Sequence, residues 1–143
     1  MPMANVLLVD DEVPFVEAMS RRLKKRDINV LTSFNGFEAL GVLEEDRSVE
    51  VVILDVKMPG MDGIETLGEI RKKFPLVEVI MLTGHATVET GIEGMKLGAF
   101  DYLMKPCDMD VLIDKLKEAV AKKRKHEEKI IEARVKEITT RRA

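Results

Sequence analysis

Val49-Glu50-Val51-Val52-Ile53-Leu54-Asp55-Val56-Lys57-Met58-Pro59-Gly60-Met61-Asp62-Gly63 reads as an apolar strand, a carboxylate at its end, and a loop with a Pro-Gly turn and a second glycine. A continuous apolar run, rather than an alternating one, predicts a strand buried on both faces. Beyond the loop, Ile64, Leu67, Ile70 and Phe74 share one helical face that ends at Pro75. The same unit recurs on either side. Upstream, a strand over 5–9 leads into a helix opened by Pro14, and a strand over 29–33 leads through Asn35-Gly36 into a helix carrying Phe37, Leu40 and Leu43. Downstream, a strand over 77–82 precedes a helix with Val88, Ile92, Met95 and Leu97, stopped by Gly98. A strand over 100–104 precedes a helix that starts near Asp108. Five β-α units in strict alternation predict an α/β fold: a doubly wound five-stranded parallel sheet with helices on both faces.

In such a sheet, ligands bind beyond the carboxyl ends of the strands. Residues distant in sequence then meet at one edge: Asp10 and Asp11 after the first strand, Asp55 after the third, Thr83 after the fourth and Lys105 after the fifth. Mg²⁺ takes oxygen ligands and keeps several waters, so a few carboxylates suffice. Asp10, Asp11 and Asp55 supply them, with the Lys57 backbone carbonyl as a further ligand. Lys105 supplies a fixed positive charge among carboxylates that otherwise repel one another. A carboxylate is also a nucleophile toward phosphorus and yields an aspartyl phosphate. Lys105, the Thr83 hydroxyl and the Gly84 backbone N–H are placed to neutralise the phosphoryl oxygens. Any single Asp after a strand is as readily a turn residue or helix cap. All of them fall at strand ends, and their convergence on one edge is what distinguishes a site from scattered turn residues. His85, beside Thr83, reads as an exposed loop residue with a possible bearing on access, and His126 as solvated.

The 143-residue chain carries a formal net charge of −3, which hides an asymmetry. Residues 115–143 hold eleven Lys/Arg and five Asp/Glu, a net of +6, and the remainder is −9. The basic residues of this tail alternate with Glu and lack aromatic neighbours, so direct nucleic-acid binding is not expected. No apolar run reaches the roughly 20 residues that span a bilayer. The N-terminus lacks signal-peptide features, and the single Cys107 has no internal partner, so the expected location is cytoplasmic. Good helix formers continue past Val120, predicting an extended C-terminal helix. The division expected is 4–122 for the body and 123–143 for a charged helical extension. Ile131, Val135 and Ile138 fall at i, i+4 and i+7. They fit either a solvated, fraying end or a pairing surface for a homodimer.

Val9-Asp10-Asp11-Glu12, Leu54–Gly63, Leu82-Thr83-Gly84-His85 and Gly98–Pro106 together resemble the receiver domain of bacterial response regulators, the chemotaxis-receiver-like modules of two-component signalling. The resemblance covers roughly 4–122. Within 84–106 it is similar to receivers of enhancer-binding transcription activators. It implies a flavodoxin-like strand order, a cis Lys105-Pro106 peptide, and Asp55 as acceptor of a phosphoryl group from a sensor histidine kinase or phosphotransfer protein. It implies Mg²⁺ at Asp10, Asp11 and Asp55, contact of Lys105 with the phosphoryl group, and a switch made by Thr83 and Tyr102. The output surface would be the fourth helix, fifth strand and fifth helix, read by a downstream protein effector. No separate substrate turnover is implied, so the chain is expected not to be an enzyme. Two alternatives stand beside this reading. One is the receiver part of a truncated DNA-binding regulator. The other is a Mg²⁺-dependent phosphatase with an Asp nucleophile; haloacid-dehalogenase enzymes carry Asp-x-Asp at the first strand, which Asp10-Asp11-Glu12 lacks.

Overall fold

The structure is a computed structural model and describes residues 3–58, 60–84 and 87–142. Pro59, in the expected turn, and His85 lie outside the described residues. The elements alternate without exception: β1 (Ala4–Val9), α1 (Val13–Lys24), β2 (Ile28–Ser33), α2 (Gly36–Glu45), β3 (Val51–Leu54), α3 (Gly63–Lys73), β4 (Glu78–Thr83), α4 (Val88–Lys96), β5 (Asp101–Met104) and α5 (Met109–Arg142). All pairings are parallel and the sheet order is β2-β1-β3-β4-β5. That is the flavodoxin-like order, with its switch point between β1 and β3.

The central strands are buried on both faces, so alternate residues feed two cores. Val6, Leu8, Ile53, Ile80 and Leu82 meet Val16 and Leu23 of α1 and Leu112 and Leu116 of α5. Leu7, Val9, Val52, Leu54, Val79 and Met81 meet Ala39 and Leu43 of α2 and Leu67 and Ile70 of α3. Full burial of one such side chain contributes about 1.5–3 kcal/mol. The sheet is therefore covered by a buried apolar layer on each face.

Boundaries differ from expectation by a residue or two. β3 starts at Val51, not Val49, although the Glu50 N–H already donates to Asn5 O of the neighbouring β1 at 2.8 Å. β4 runs on through Thr83, so the expected switch hydroxyl lies within the strand. α4 ends as expected. Gly98 adopts φ +100°, Ala99 N–H donates to Gly94 O at 3.0 Å and Gly98 N–H to Met95 O at 3.2 Å; this is a glycine-terminated helix end. The apolar face of α4 does not point inward. Val88, Ile92 and Met95 are exposed, and Gly94 is the residue that α4 buries. α5 continues unbroken to Arg142, well past the body of the fold.

Candidate functional site

Each site residue owes its position to a strand end. Asp10 follows β1; its N–H donates to Ser33 O at 3.2 Å, and its Oδ1 accepts the Glu12 N–H at 2.9 Å. Asp55 follows β3; its N–H donates to Val9 O at 3.0 Å, and its Oδ1 accepts the Val56 N–H at 2.8 Å. Asp10 and Asp55 thus flank the switch point on neighbouring strands. Both are almost completely buried, at 1% and 3% exposure. Asp11 is exposed beside them. Carboxylate oxygens of Asp10, Asp11 and Asp55 all lie within 4.8 Å of one another.

Lys105 arrives from the loop after β5. Its N–H donates to Thr83 O at 2.9 Å, which ties the ends of β4 and β5 together. The Lys105-Pro106 peptide is cis, as the family resemblance implied. The ammonium donates to Asp10 Oδ2 at 2.6 Å and lies 3.6 Å from Glu12 Oε1 and 4.0 Å from Asp55 Oδ2. Burial pushes the Asp10 carboxyl up, and the nearby Asp55 charge adds to this; the Lys105 and Glu12 hydrogen bonds offset only part of it. Burial pulls the Lys105 ammonium down, but its hydrogen bond to Asp10 and the charges of Asp10, Asp55 and Glu12 outweigh that and raise it. Lys105 therefore stays charged at neutral pH. Burial thus makes ionised Asp10 costly, a cost that Lys105 partly offsets and a divalent cation at these oxygens would offset further.

Thr83 is fully buried at the end of β4, and Gly84 is exposed directly after it. Lys57 lies in the loop after β3 with its side chain exposed. Tyr102 sits apart from the carboxylates. It is half-buried between β5 and α4, its hydroxyl 2.8 Å from Thr90 Oγ1, its ring against Gly91 and Gly94. The structure thus gathers Asp10, Asp11, Asp55 and Lys105 into one cluster and gives Tyr102 a separate seat on α4.

Two features were not read as site residues from the sequence. A Cβ at Gly63 would collide with the Asp55 carbonyl and Val56 Cα; Gly63 N–H donates to Val56 O at 2.7 Å. Asp62 caps α3 by accepting the Glu65 N–H at 2.9 Å. The loop is thereby folded back on the residue that carries the buried carboxylate. The signal was present as the second glycine of the loop. The other feature is Phe15, whose ring centroid lies 3.9 Å from Lys105 Nζ. Sequence patterning marks it only as an apolar position of α1.

The donor chemistry fits a hard divalent cation: three carboxylates with oxygens in mutual reach, two of them buried, beside the Lys105 ammonium. Among the described residues no helix is long and apolar enough to cross a membrane.

Comparison with known proteins agrees with this geometry. Residues 6–117 match the family model of the response regulator receiver domain. A putative NtrX-like response regulator of Rickettsia bellii is 40% identical over 121 residues, covering 83% of this chain and 25% of the relative. The transcriptional regulatory protein ZraR of Salmonella typhimurium is 38% identical over 117 residues, covering 82% of this chain and 26% of the relative. The chain thus spans about a quarter of the length of these curated relatives. A solved receiver-domain protein from Clostridium thermocellum superposes with a TM-score of 0.81 at 37% identity, covering 85% of this chain and 97% of that one. The receiver domain of NtrX from Brucella abortus gives 0.75 at 32% identity, covering 81% and 98%. With its order of strands, its carboxylate edge and these matches, the chain belongs to the response regulator receiver domain family.

Proposed function

We infer that Asp55 is the phosphoacceptor of a response regulator, charged by a phosphohistidine of a sensor kinase or phosphotransfer protein. The observation that carries this is the buried Asp55 carboxylate, fixed by the Val56 N–H, with Lys105 Nζ 4.0 Å away and the Asp10 and Asp11 oxygens within 4.8 Å. In the transfer, an Asp55 oxygen attacks phosphorus. The O–P bond forms, the P–N bond breaks, and the imidazole nitrogen keeps the electron pair and takes a proton. Lys105 and the Gly84 N–H are the donors available to the phosphoryl oxygens, and a loose transition state asks mainly for that neutralisation. Asp10, Asp11 and Asp55, with the Lys57 carbonyl, would hold Mg²⁺, which when bound offsets the negative charge gathered there. The acyl phosphate is later lost to water at the same site, so no separate substrate is turned over.

The switch in this reading runs through Thr83 and Tyr102. A phosphoryl group adds charge and three acceptor oxygens. Movement of the Thr83 hydroxyl toward it shifts the balance of a two-state equilibrium at α4. Tyr102, now bonded to Thr90, would repack there. The exposed apolar side chains Val88, Ile92 and Met95 on α4, Met104 on β5 and Val111 on α5 support this face as the surface read by a downstream protein effector. Residues 4–122 would act as the receiver and 123–143 as an extension that pairs two copies through Ile131, Val135 and Ile138. The chain's share of its relatives, among them one described as a transcriptional regulatory protein, supports a further reading. In it, the receiver is the input part of a longer cytoplasmic DNA-binding regulator.

Beryllofluoride with Mg²⁺, a stand-in for the phosphoryl group, tests the site directly. ¹⁹F NMR should show a bound resonance in the wild type that is absent in Asp55→Asn and absent without Mg²⁺. A bound signal that survives Asp55→Asn would remove Asp55 from the role.

A further inference from the structure

Among the described residues, Lys105 Nζ has three carboxylates and an aromatic ring close by. The carboxylates are Asp10 at 2.6 Å, Glu12 at 3.6 Å and Asp55 at 4.0 Å. The ring is that of Phe15, whose centroid is 3.9 Å from Nζ. A cation over an aromatic face at this range is attracted by the ring quadrupole, most strongly where water is excluded. The Lys105 side chain is only 15% exposed, so the contact lies in the stronger part of that range.

The chain delivers this ring by a short route. Glu12 is the N-cap of α1 and makes no side-chain capping bond, Pro14 lies in the first turn, and Phe15 follows it. Phe15 is half-buried and packs against the core beneath α1 and α5. Its backbone is therefore fixed by the same turn that carries Asp10 and Asp11, while Lys105 comes from the far end of the sheet.

The chemistry explains why a ring suits this place. The proposed reaction brings a phosphoryl anion to a site that already holds the carboxylates of Asp10, Asp11, Glu12 and Asp55. A further carboxylate against Lys105 would hold the ammonium but repel the incoming group. A ring holds the ammonium without adding net charge, and no metal competes for it. Glu12 is 62% exposed and offers Lys105 a more solvated partner. The Phe15 ring and the buried Asp10 and Asp55 oxygens are alternatives to Glu12 as partners of the ammonium, all within 4.0 Å of Nζ.

We propose that Phe15 is a positioning residue for Lys105: its aromatic face keeps the ammonium aimed at the phosphoryl position beside Asp55. This rests on the phosphoacceptor reading and names a residue that acts through Lys105 without touching the phosphoryl group.

The test uses Phe15→Leu, which keeps an apolar side chain and removes the quadrupole, and Phe15→Tyr, which keeps the ring. In the wild type the Lys105 ε-methylene protons should be shifted upfield by the ring current. Phe15→Leu should abolish that shift and slow phosphoryl uptake from acetyl phosphate by about tenfold, the scale of a desolvated cation–π contact. Mg²⁺ affinity by calorimetry should stay within about twofold, since no carboxylate has changed. Phe15→Tyr should restore both the shift and the rate. Wild-type uptake in Phe15→Leu, or slow uptake that Phe15→Tyr does not rescue, would overturn the proposal and leave Phe15 a core residue. Failure of the wild type itself to take up phosphoryl, with the upfield shift intact, would overturn the phosphoacceptor reading and the positioning role with it. An absent wild-type shift accompanied by normal uptake would overturn the positioning role alone.

Discussion

Asp10 should set the pH dependence of metal binding. Burial, with Asp55 alongside, raises its pKa above the ordinary carboxylate value. A metal ligand must be deprotonated, so protons and Mg²⁺ compete for the same oxygens. Affinity should be full above the raised pKa and fall as pH drops through it, beginning at a higher pH than for a model Asp of about 3.9. The effect on folding has the reverse of the usual Asp sign. The folded state favours the protonated form, so the contribution of Asp10 to stability improves as pH falls through its folded pKa. Titration calorimetry from neutral pH downward checks the first point. A profile as flat as a solvated carboxylate's would contradict it, and Asp10→Asn should weaken binding throughout. Gly63 makes a second prediction. Its missing side chain lets α3 close on the Asp55 backbone, and backbone cannot yield as a flexible side chain can. Gly63→Ala should destabilise by about 1–3 kcal/mol, the cost of overpacking, and should slow phosphoryl uptake by displacing Asp55. Urea unfolding and uptake kinetics measured on the same sample show whether the two losses go together.

At the scale of elements, α5 has the least obvious support. Lys122, Lys123, Arg124 and Lys125 are four consecutive cations, where mutual repulsion opposes helix formation. Three of them have acidic partners. Arg124 Nε donates to Glu50 Oε2 at 2.8 Å, Lys122 lies 3.4 Å from Glu78 Oε2, and Lys123 pairs with Glu127. Glu50 and Glu78 are buried at the amino ends of β3 and β4, opposite the edge that carries Asp10 and Asp55, and Arg71 also reaches Glu78 at 3.4 Å. The start of the extension is thus pinned to the base of the sheet. Arg124→Ala leaves Glu50 buried without its cation and should cost about 1–3 kcal/mol. Combining it with Glu50→Gln should recover much of that. Hydrogen exchange over 121–128 should accelerate in the single variant; unchanged protection would show that the pins do not hold the helix. The arrangement also decides where to cut. Removal of everything after Lys122 takes Arg124 away from Glu50, so a chain ending at Lys129 is the cleaner probe of pairing. Light scattering should report a dimer for the full chain and a monomer for this one, and an unchanged mass would exclude Ile131, Val135 and Ile138 as the pairing surface.

For the whole molecule, the order of elements and the carboxyl edge were legible because they are local. Each apolar run announces a strand, and Asp10, Asp55, Thr83 and Lys105 each sit at or just beyond the end of one. What was not legible depends on distant neighbours. Glu50 and Glu78 look like solvent residues until α5 supplies their cations from over forty positions away. Phe15 looks like core until Lys105 arrives over its ring. The apolar stripe of α4 looks like a buried face, yet Gly94 is what packs inward. Periodicity reports that a helix has two faces, not which one meets the sheet. A Mg²⁺ site that forms only in the folded cluster, as proposed, predicts that saturation at 100 times the dissociation constant adds about 2.7 kcal/mol to stability.

Asp55 is proposed to take up a phosphoryl group with Mg²⁺ present. Intact mass after incubation with acetyl phosphate or phosphoramidate tests it most directly, on the wild type and on Asp55→Asn. One phosphoryl adduct on the wild type, lost in the variant and lost without Mg²⁺, is the predicted result. An adduct that persists in Asp55→Asn, or none on the wild type while a control receiver labels fully, would contradict the account.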